Sequence, residues 1–273
     1  MTGRPRPVDR VLIVAIAAAI AIVFAVRADG VQRQMRKSAL LKGLVQDIAS
    51  LETTIFAWRS RATIADYVRQ QPVRRLQIGA GTSRREGWLN TDIGIGEGLA
   101  YLDATEPFPL EDSSFNYVYS EHVIEHLPYE GGFNMLSESY RILVPGGKLR
   151  IATPNLLRFI DLFRDNTSEE ARQYASGKLA WHGWPSHPTV ASTILNLQLS
   201  SWGHRFVYDP ETLKAALTRV GFEAIQEFGV GDSDDPHLQG LELRQGRIVA
   251  PLNAYETMIF QAVKPIAARA EAR

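Results

Sequence analysis

Between Leu76 and Asn155 the chain places a glycine or a carboxylate beside a short apolar run five times over. The segments read Leu76-Gln77-Ile78-Gly79-Ala80-Gly81, Gly87-Trp88-Leu89-Asn90-Thr91-Asp92, Leu102-Asp103-Ala104, Ser113-Ser114-Phe115-Asn116-Tyr117-Val118 and Pro145-Gly146-Gly147-Lys148-Leu149. Any one of them is a weak signal. In this order they describe successive strands of an α/β sheet whose carboxyl ends turn toward a nucleotide-like ligand. The 273 residues suffice for one well-buried domain of about 200 residues plus appendages.

Residues 75–78 predict the first strand, and Gly79-Ala80-Gly81-Thr82 the turn that leaves it. Glycine there takes up positive φ and lets a ligand approach the backbone. A dinucleotide turn built for hydride transfer would carry a third glycine three positions after Gly81, where Arg84 stands. Asp92 ends a second strand over 88–91, placing a carboxylate that can accept from both hydroxyls of a ribose. The interval from Gly81 to Asp92 is too short for a full first helix. A competing glycine loop, Gly94-Ile95-Gly96-Glu97-Gly98, is followed too soon by Asp103 to leave room for another helix and strand. Leu102-Asp103-Ala104 ends a third strand and 115–119 forms a fourth, from whose carboxyl end Ser120-Glu121-His122-Val123-Ile124-Glu125-His126 departs. Pro145-Gly146-Gly147 breaks a helix over about 135–143 and feeds a fifth strand, 148–153. Asp209-Pro210 caps a helix that Gly221 closes, and 223–228 and 257–263 supply the sixth and seventh strands.

His122, Glu125 and His126 raise the question of a metal. On a helix only His122 and His126 would share a face, and two histidines at that spacing without a third ligand nearby do not make a site. No metal is expected. A Glu-His pair that fixes the loop by hydrogen bonds, or a histidine that acts as a base, are the readings left open.

Taken together, these segments resemble the class I S-adenosylmethionine-dependent methyltransferases, in particular bacterial predicted methyltransferases with a Gly-Trp-x-Asn-x-Asp segment soon after the glycine turn. The resemblance runs from about Val73 to Lys264. It implies an α/β, Rossmann-like, seven-stranded methyltransferase sheet with flanking helices and a trimmed first helix. It implies S-adenosyl-L-methionine as cofactor, bound by Gly79, Ala80, Gly81, Thr82, Asp92, Asp103, Ala104 and Ser120, with Asp103 accepting from the adenine amino group. It also implies methyl transfer, for which His122 or Glu121 is the candidate base toward a hydroxyl or amine. Similar bacterial enzymes accompany glycan or lipid-linked sugar synthesis, so the expected acceptor is a cell-envelope glycan, a lipid-linked sugar or a small molecule. Asn116 and Gln77 stand where many of these enzymes carry acids. A non-catalytic binding module of the same fold is therefore the alternative. An aminopropyl transferase would share the sheet, but no acidic amine-binding cluster supports it.

Thirty basic and thirty acidic residues cancel, giving no bulk attraction to nucleic acid, which is not an expected partner. The absence of cysteine removes disulfides, cysteine nucleophiles and thiolate metal sites. Residues 1–10 are a short tail. Residues 11–26 are uninterruptedly apolar, between Arg4, Arg6 and Arg10 on one side and Arg27 on the other. A helix of that length spans about 24 Å against a hydrocarbon core of about 30 Å, and flanking arginines can snorkel across the difference. Residues 11–27 are accordingly read as a transmembrane anchor helix. A signal peptide cleaved after Val26-Arg27-Ala28 and a packed helix are the rivals. Arg27, Arg33, Arg36, Lys37 and Lys42 follow the segment, which favours a single-pass membrane protein with a cytoplasmic domain, where S-adenosylmethionine is found. Over 28–72, Leu41, Leu44, Val45, Ile48, Leu51 and Ile55 recur at helical steps. This helical stalk could lie on a membrane, pair through 31–70 in a homodimer or pack on the following domain. Pro72 closes it, leaving 73–265 as the methyltransferase domain. Within that domain 155–208, with Trp181, His182, Trp184, His187, Trp202 and His204, is an insertion suited to a substrate lid, to packing or to a membrane-facing hairpin.

Overall fold

The computed structural model describes residues 39–94, 96–164, 168–181, 183, 190–243 and 250–266. The expected anchor at 11–27 lies outside them. Among the described residues no helix is long and apolar enough to cross a membrane. The chain divides into two compact units, Met1–Arg59 and Ser60–Arg273. In the first, the described residues are helical and belong to α1 (Ala39–Gln70). The core of the second draws on residues ahead of the boundary expected at Pro72. Ile64 is buried in it, and the Tyr67 ring stacks on Phe115 with centroids 6.3 Å apart.

The strands are β1 (Arg75–Ile78), β2 (Leu89–Asp92), β3 (Ala100–Tyr101), β4 (Phe115–Glu121), β5 (Leu143–Pro154), β6 (Glu223–Phe228) and β7 (Thr257–Val263). The remaining helices are α2 (Tyr129–Ile142), α3 (Leu156–Arg164), α4 (Glu169–Trp181), α5 (Val190–Ser200), α6 (Pro210–Val220) and α7 (Ala250–Glu256). All seven strands join one sheet in the order β3-β2-β1-β4-β5-β7-β6, in which only β7 runs against the rest. This mixed sheet with flanking helices fits the Rossmann-like architecture that the resemblance implied. Its strand order reverses between β1 and β4, and in open α/β sheets ligands bind outside the carboxyl ends of the strands at such a reversal.

Three local features differ from expectation. Strand β3 is only two residues long, so Asp103 sits in the turn beyond it rather than at its end. Helix α2 passes directly into β5, and the Pro-Gly-Gly stretch bulges out of register between the Phe115↔Leu143 and Tyr117↔Lys148 pairs. Between β1 and β2 there is no helix at all, not even a trimmed one. Residues 79–88 are fewer than the dozen or so that a parallel crossover normally takes.

That missing helix leaves one sheet face to be closed by other means. Leu76, Ile78, Val118, Leu149, Ile151 and Phe260 line the face packed under α2, α6 and the end of α1. The opposite face presents Gln77, Tyr119, Arg150 and Gln261, all buried. Irregular residues 229–243 cover it. Leu238 and Leu241 pack there with Trp88 and Tyr119. Glu242 meets Arg150 side-on, at 2.6 Å from Nε and 2.7 Å from Nη2, with both side chains 0% exposed. Desolvating two charges is costly, and the pair is tolerated because it is bidentate and Gln261 accepts a further bond from Nη1 at 3.1 Å.

The insertion 155–208 forms α3, α4 and α5, which build a second, smaller core with α7 from Phe159, Leu162, Tyr174, Ile194, Leu252 and Tyr255. Inside it Glu256 accepts from the Tyr174 hydroxyl and from Lys178 Nζ, each at 2.6 Å. Helix α3 follows β5 directly and α7 precedes β7, so this helical cap stands at the carboxyl edge of the sheet.

Candidate functional site

The pairing of β1 with β4 brings residues 79–82 beside residues 120–122. Gly79 and Gly81 both have positive φ, 67° and 52°. The two glycines answer different needs. A Cβ on Gly79 would lie 2.2 Å from Cγ2 of Val123, so this glycine makes room for the chain leaving β4. A Cβ on Gly81 would meet nothing within 4 Å among the described residues. Gly81 is therefore the position where the backbone faces open space. Ala80 is buried and gives its amide to the Thr91 carbonyl at 2.9 Å, while Thr82 is exposed.

Asp92 Oδ2 accepts from the Gly81 amide at 2.8 Å, and Oδ1 accepts from the Gly94 amide at 2.7 Å. The carboxylate thus ties the two glycine loops that competed in the sequence, and each oxygen keeps a further lone pair. The rest of its segment replaces the absent helix. Asn90 holds the connection by accepting from the Arg85 amide at 2.8 Å and donating to the Arg85 carbonyl at 2.9 Å, and Trp88 fills the face beneath. Asp103 Oδ1 accepts from the amide and hydroxyl of Thr105 at 2.8 and 2.7 Å, which shapes the turn around the buried Ala104. Ser120 is 0% exposed, and its hydroxyl has no hydrogen-bond partner among the described residues. An open glycine face, a carboxylate with spare lone pairs and an orphaned hydroxyl suit a polar ligand laid across these strand ends.

His122 and His126 do not share a helix face. His122 sits in the left-handed region at φ 52°, and Ile124–His126 is a 3-10 turn. A non-glycine residue held there is a local strain of the kind that gathers at functional sites. His122 Nδ1 is 2.9 Å from Glu125 Oε1, and Nε2 is 3.4 Å from Thr257 Oγ1. Glu125 is 0% exposed and also accepts from Thr153 Oγ1 at 3.1 Å. Burial pushes its carboxyl up, but the hydrogen bond and charge of His122 outweigh burial and leave the group below its ordinary value. Glu121 has other surroundings. It lies beside Tyr119, whose phenol is pushed well up first by burial and then by the Glu121 carboxylate. Glu125 thus backs His122, while Glu121 lies beside Tyr119.

His126 meets His204 edge-on, with ring centroids 4.9 Å apart. The approach follows from the backbone, because the amides of Arg205 and Phe206 both donate to the Glu125 carbonyl, at 2.7 and 3.2 Å. His204 places Nδ1 2.6 Å from the Gln198 carbonyl, and burial lowers its pKa. Sequence spacing could have offered His122 with Glu125 on a 3-10 turn, but Thr257 lies 135 residues further along and left no local signal. The cap carries a separate open cleft of about 480 Å³ lined by Arg158, Asp161, Arg164, Ser168, Glu170 and Tyr255 among others, and none of the strand-end residues lines it.

A family model described as a methyltransferase domain matches residues 91–151. That stretch contains Asp92, Asp103, Ser120 and His122 and begins after the first glycine turn. No curated protein matches the sequence. Solved structures of similar fold include an S-adenosylmethionine-dependent methyltransferase from Archaeoglobus fulgidus, 20% identical over 78% of this chain and 94% of that one, with a TM-score of 0.42. Another, from Thermotoga maritima, is 18% identical over 77% and 90% of the two chains, with a TM-score of 0.39. A third, from Mesorhizobium loti, is 17% identical over 71% and 91%, with a TM-score of 0.40. The domain match covers 91–151 and, with the seven-stranded sheet that carries it, supports the reading of a methyltransferase domain.

Proposed function

We propose that this chain is an S-adenosylmethionine-dependent methyltransferase whose acceptor binds at the carboxyl edge of the sheet, next to the cap formed by 155–208. The observation that carries the reading is the turn at the strand-order reversal, where Gly81 faces open space and gives its amide to Asp92. Residues 79–82 would hold the methionine end of the cofactor, Asp92 the ribose hydroxyls, and Asp103 and Ala104 the adenine. The Ser120 hydroxyl is a further donor beside the turn. Bound there, S-adenosylmethionine supplies a methyl group already activated by its sulfonium, so the protein chiefly has to align an acceptor. His122 would take the acceptor's proton at Nε2, while Glu125 holds the Nδ1 proton and balances the charge that develops. Glu121 is the less favoured candidate, because its carboxylate sits beside Tyr119 and not behind His122.

Equilibrium binding of S-adenosylhomocysteine tests the reading. Asp92→Ala should weaken it by about 1.5–3 kcal/mol, the range for a hydrogen bond to a charged group. Unchanged affinity in a folded variant would remove Asp92 from the ribose site. A binding module remains the second reading because Gln77, where similar enzymes carry an acid, is uncharged and its Oε1 has no partner among the described residues. Tight cofactor binding without methyl transfer to any fraction of a cell-envelope extract would favour that module. We further propose that 11–27 anchors the chain in a membrane with the domain on the cytoplasmic side, which places a lipid-linked sugar or envelope glycan within reach. Sixteen apolar residues and the cations that follow them support this.

A further inference from the structure

We propose that Glu125, His126 and His204 form a binding site for a divalent transition-metal ion, zinc by the chemistry of its donors, which pins residues 201–206 to the turn that follows β4. One ligand atom from each of the three lies within 4.8 Å of the others. Two imidazoles and a carboxylate are a borderline donor set that suits zinc, with a fourth position left for water. Donors at about 2.1 Å from a tetrahedral ion stand about 3.4 Å apart, so the ion would have to draw the side chains in by about 1 Å, within the reach of rotating rings.

Two features make this a prepared site rather than a chance encounter. The segments that carry the donors are held together by backbone, since the amides of Arg205 and Phe206 close on the carbonyl of Glu125 itself at 2.7 and 3.2 Å. Two of the three donors are also oriented from behind. At 2.6 Å from the Gln198 carbonyl, Nδ1 of His204 must carry a proton, which leaves Nε2 as its ligand atom. Glu125 receives one hydrogen bond on each oxygen, from His122 and Thr153, and keeps a lone pair on each. Buried charges are either paired or coordinate metals; His122 stands beside one oxygen of the fully buried Glu125 carboxylate, and the ion would take up a free lone pair. The ion would lock Glu125 behind His122, yet the inference does not depend on the methyltransferase reading.

The test uses the full-length protein, stripped with a chelator and titrated with zinc chloride and, separately, cobalt chloride. The expected result is one equivalent bound, with the visible absorption of four-coordinate cobalt. His126→Ala and His204→Ala should each weaken zinc binding by about 100-fold or more. His237→Ala, which removes the histidine beside Arg75 on another face, should not. Absence of zinc binding by the unmodified protein, or equal binding by all three variants, overturns the proposal whether or not a variant is destabilised. S-adenosylhomocysteine binding in the same samples keeps the two readings apart. In the histidine variants, zinc lost with cofactor retained counts for the metal site alone; in the unmodified protein, zinc bound without cofactor counts against the enzyme alone.

Discussion

At the scale of single residues, three glycines separate steric need from ligand space. Asparagine enters the left-handed region more readily than most residues, so Gly81→Asn should keep the turn while filling the open side of the backbone. Binding of S-adenosylhomocysteine should be abolished, with a stability cost of no more than about 1 kcal/mol. Gly96→Ala should leave binding intact, because the nearest atoms its Cβ would meet are the movable ends of Arg84 and Leu99, at 2.9 and 3.1 Å. Calorimetry on the two variants side by side decides between the loops: loss at Gly96 with retention at Gly81 would move the ligand to the second one. Gly79→Ala is expected to fail in a different way. Its Cβ would collide with Val123, costing about 1–3 kcal/mol in thermal denaturation, and Val123→Ala in the same chain should recover part of that. If nothing is recovered, backbone conformation rather than contact requires this glycine.

At the scale of elements, the strap 229–243 stands in for a helix and depends on its buried ion pair. Glu242→Ala should cost about 3–5 kcal/mol in urea denaturation, because it leaves the Arg150 guanidinium uncompensated inside the sheet face. The double change Arg150→Met with Glu242→Leu should recover most of the loss, since no charge is then stranded. A double variant no better than the single would mean that the pair specifies the strap's path. Helix α6 offers a smaller and cleaner case. Asp209 accepts from the amides of Glu211 and Thr212 at 3.0 and 2.9 Å, and Gly221 closes the helix at φ 113°. Burial raises the Asp209 carboxyl, but the hydrogen bonds from Thr212 and Glu211 outweigh it and hold the group below its ordinary value. Its stabilisation is therefore present above the unfolded value of about 3.9 and is lost as pH falls through the lower folded value. Asp209→Ala should cost about 1 kcal/mol at neutral pH and should show a shallower acid limb in stability against pH.

At the scale of the whole molecule, the proposal of a tethered enzyme separates attachment from chemistry. Deleting residues 1–28 should release the protein into the soluble fraction with S-adenosylhomocysteine affinity unchanged, because the sheet and its turn are built from Ser60 onward. Full-length mass in carbonate-washed membranes supports the anchor. A mature chain beginning at Asp29 would replace it with a cleaved signal.

What the sequence by itself determined was local. Strand ends show where apolar runs stop at glycine or carboxylate, and the caps of α6 show in Asp209, Pro210 and Gly221, because period, φ preference and capping act over a few residues. The short interval before Asp92 already ruled out a full first helix. Only the tertiary structure decided what took that helix's place, since Arg150 and Glu242 are 92 residues apart and nothing in either neighbourhood announces the other. The same holds at the candidate site. His122, Glu125 and His126 fall within five residues of sequence, but helical spacing paired the wrong two, because a 3-10 turn and a left-handed residue changed which side chains meet. Thr257 and His204 reach this turn through β7 and the cap. Contacts of that kind are set by how the sheet closes and which backbone amides remain to be satisfied, and residue spacing carries no record of either.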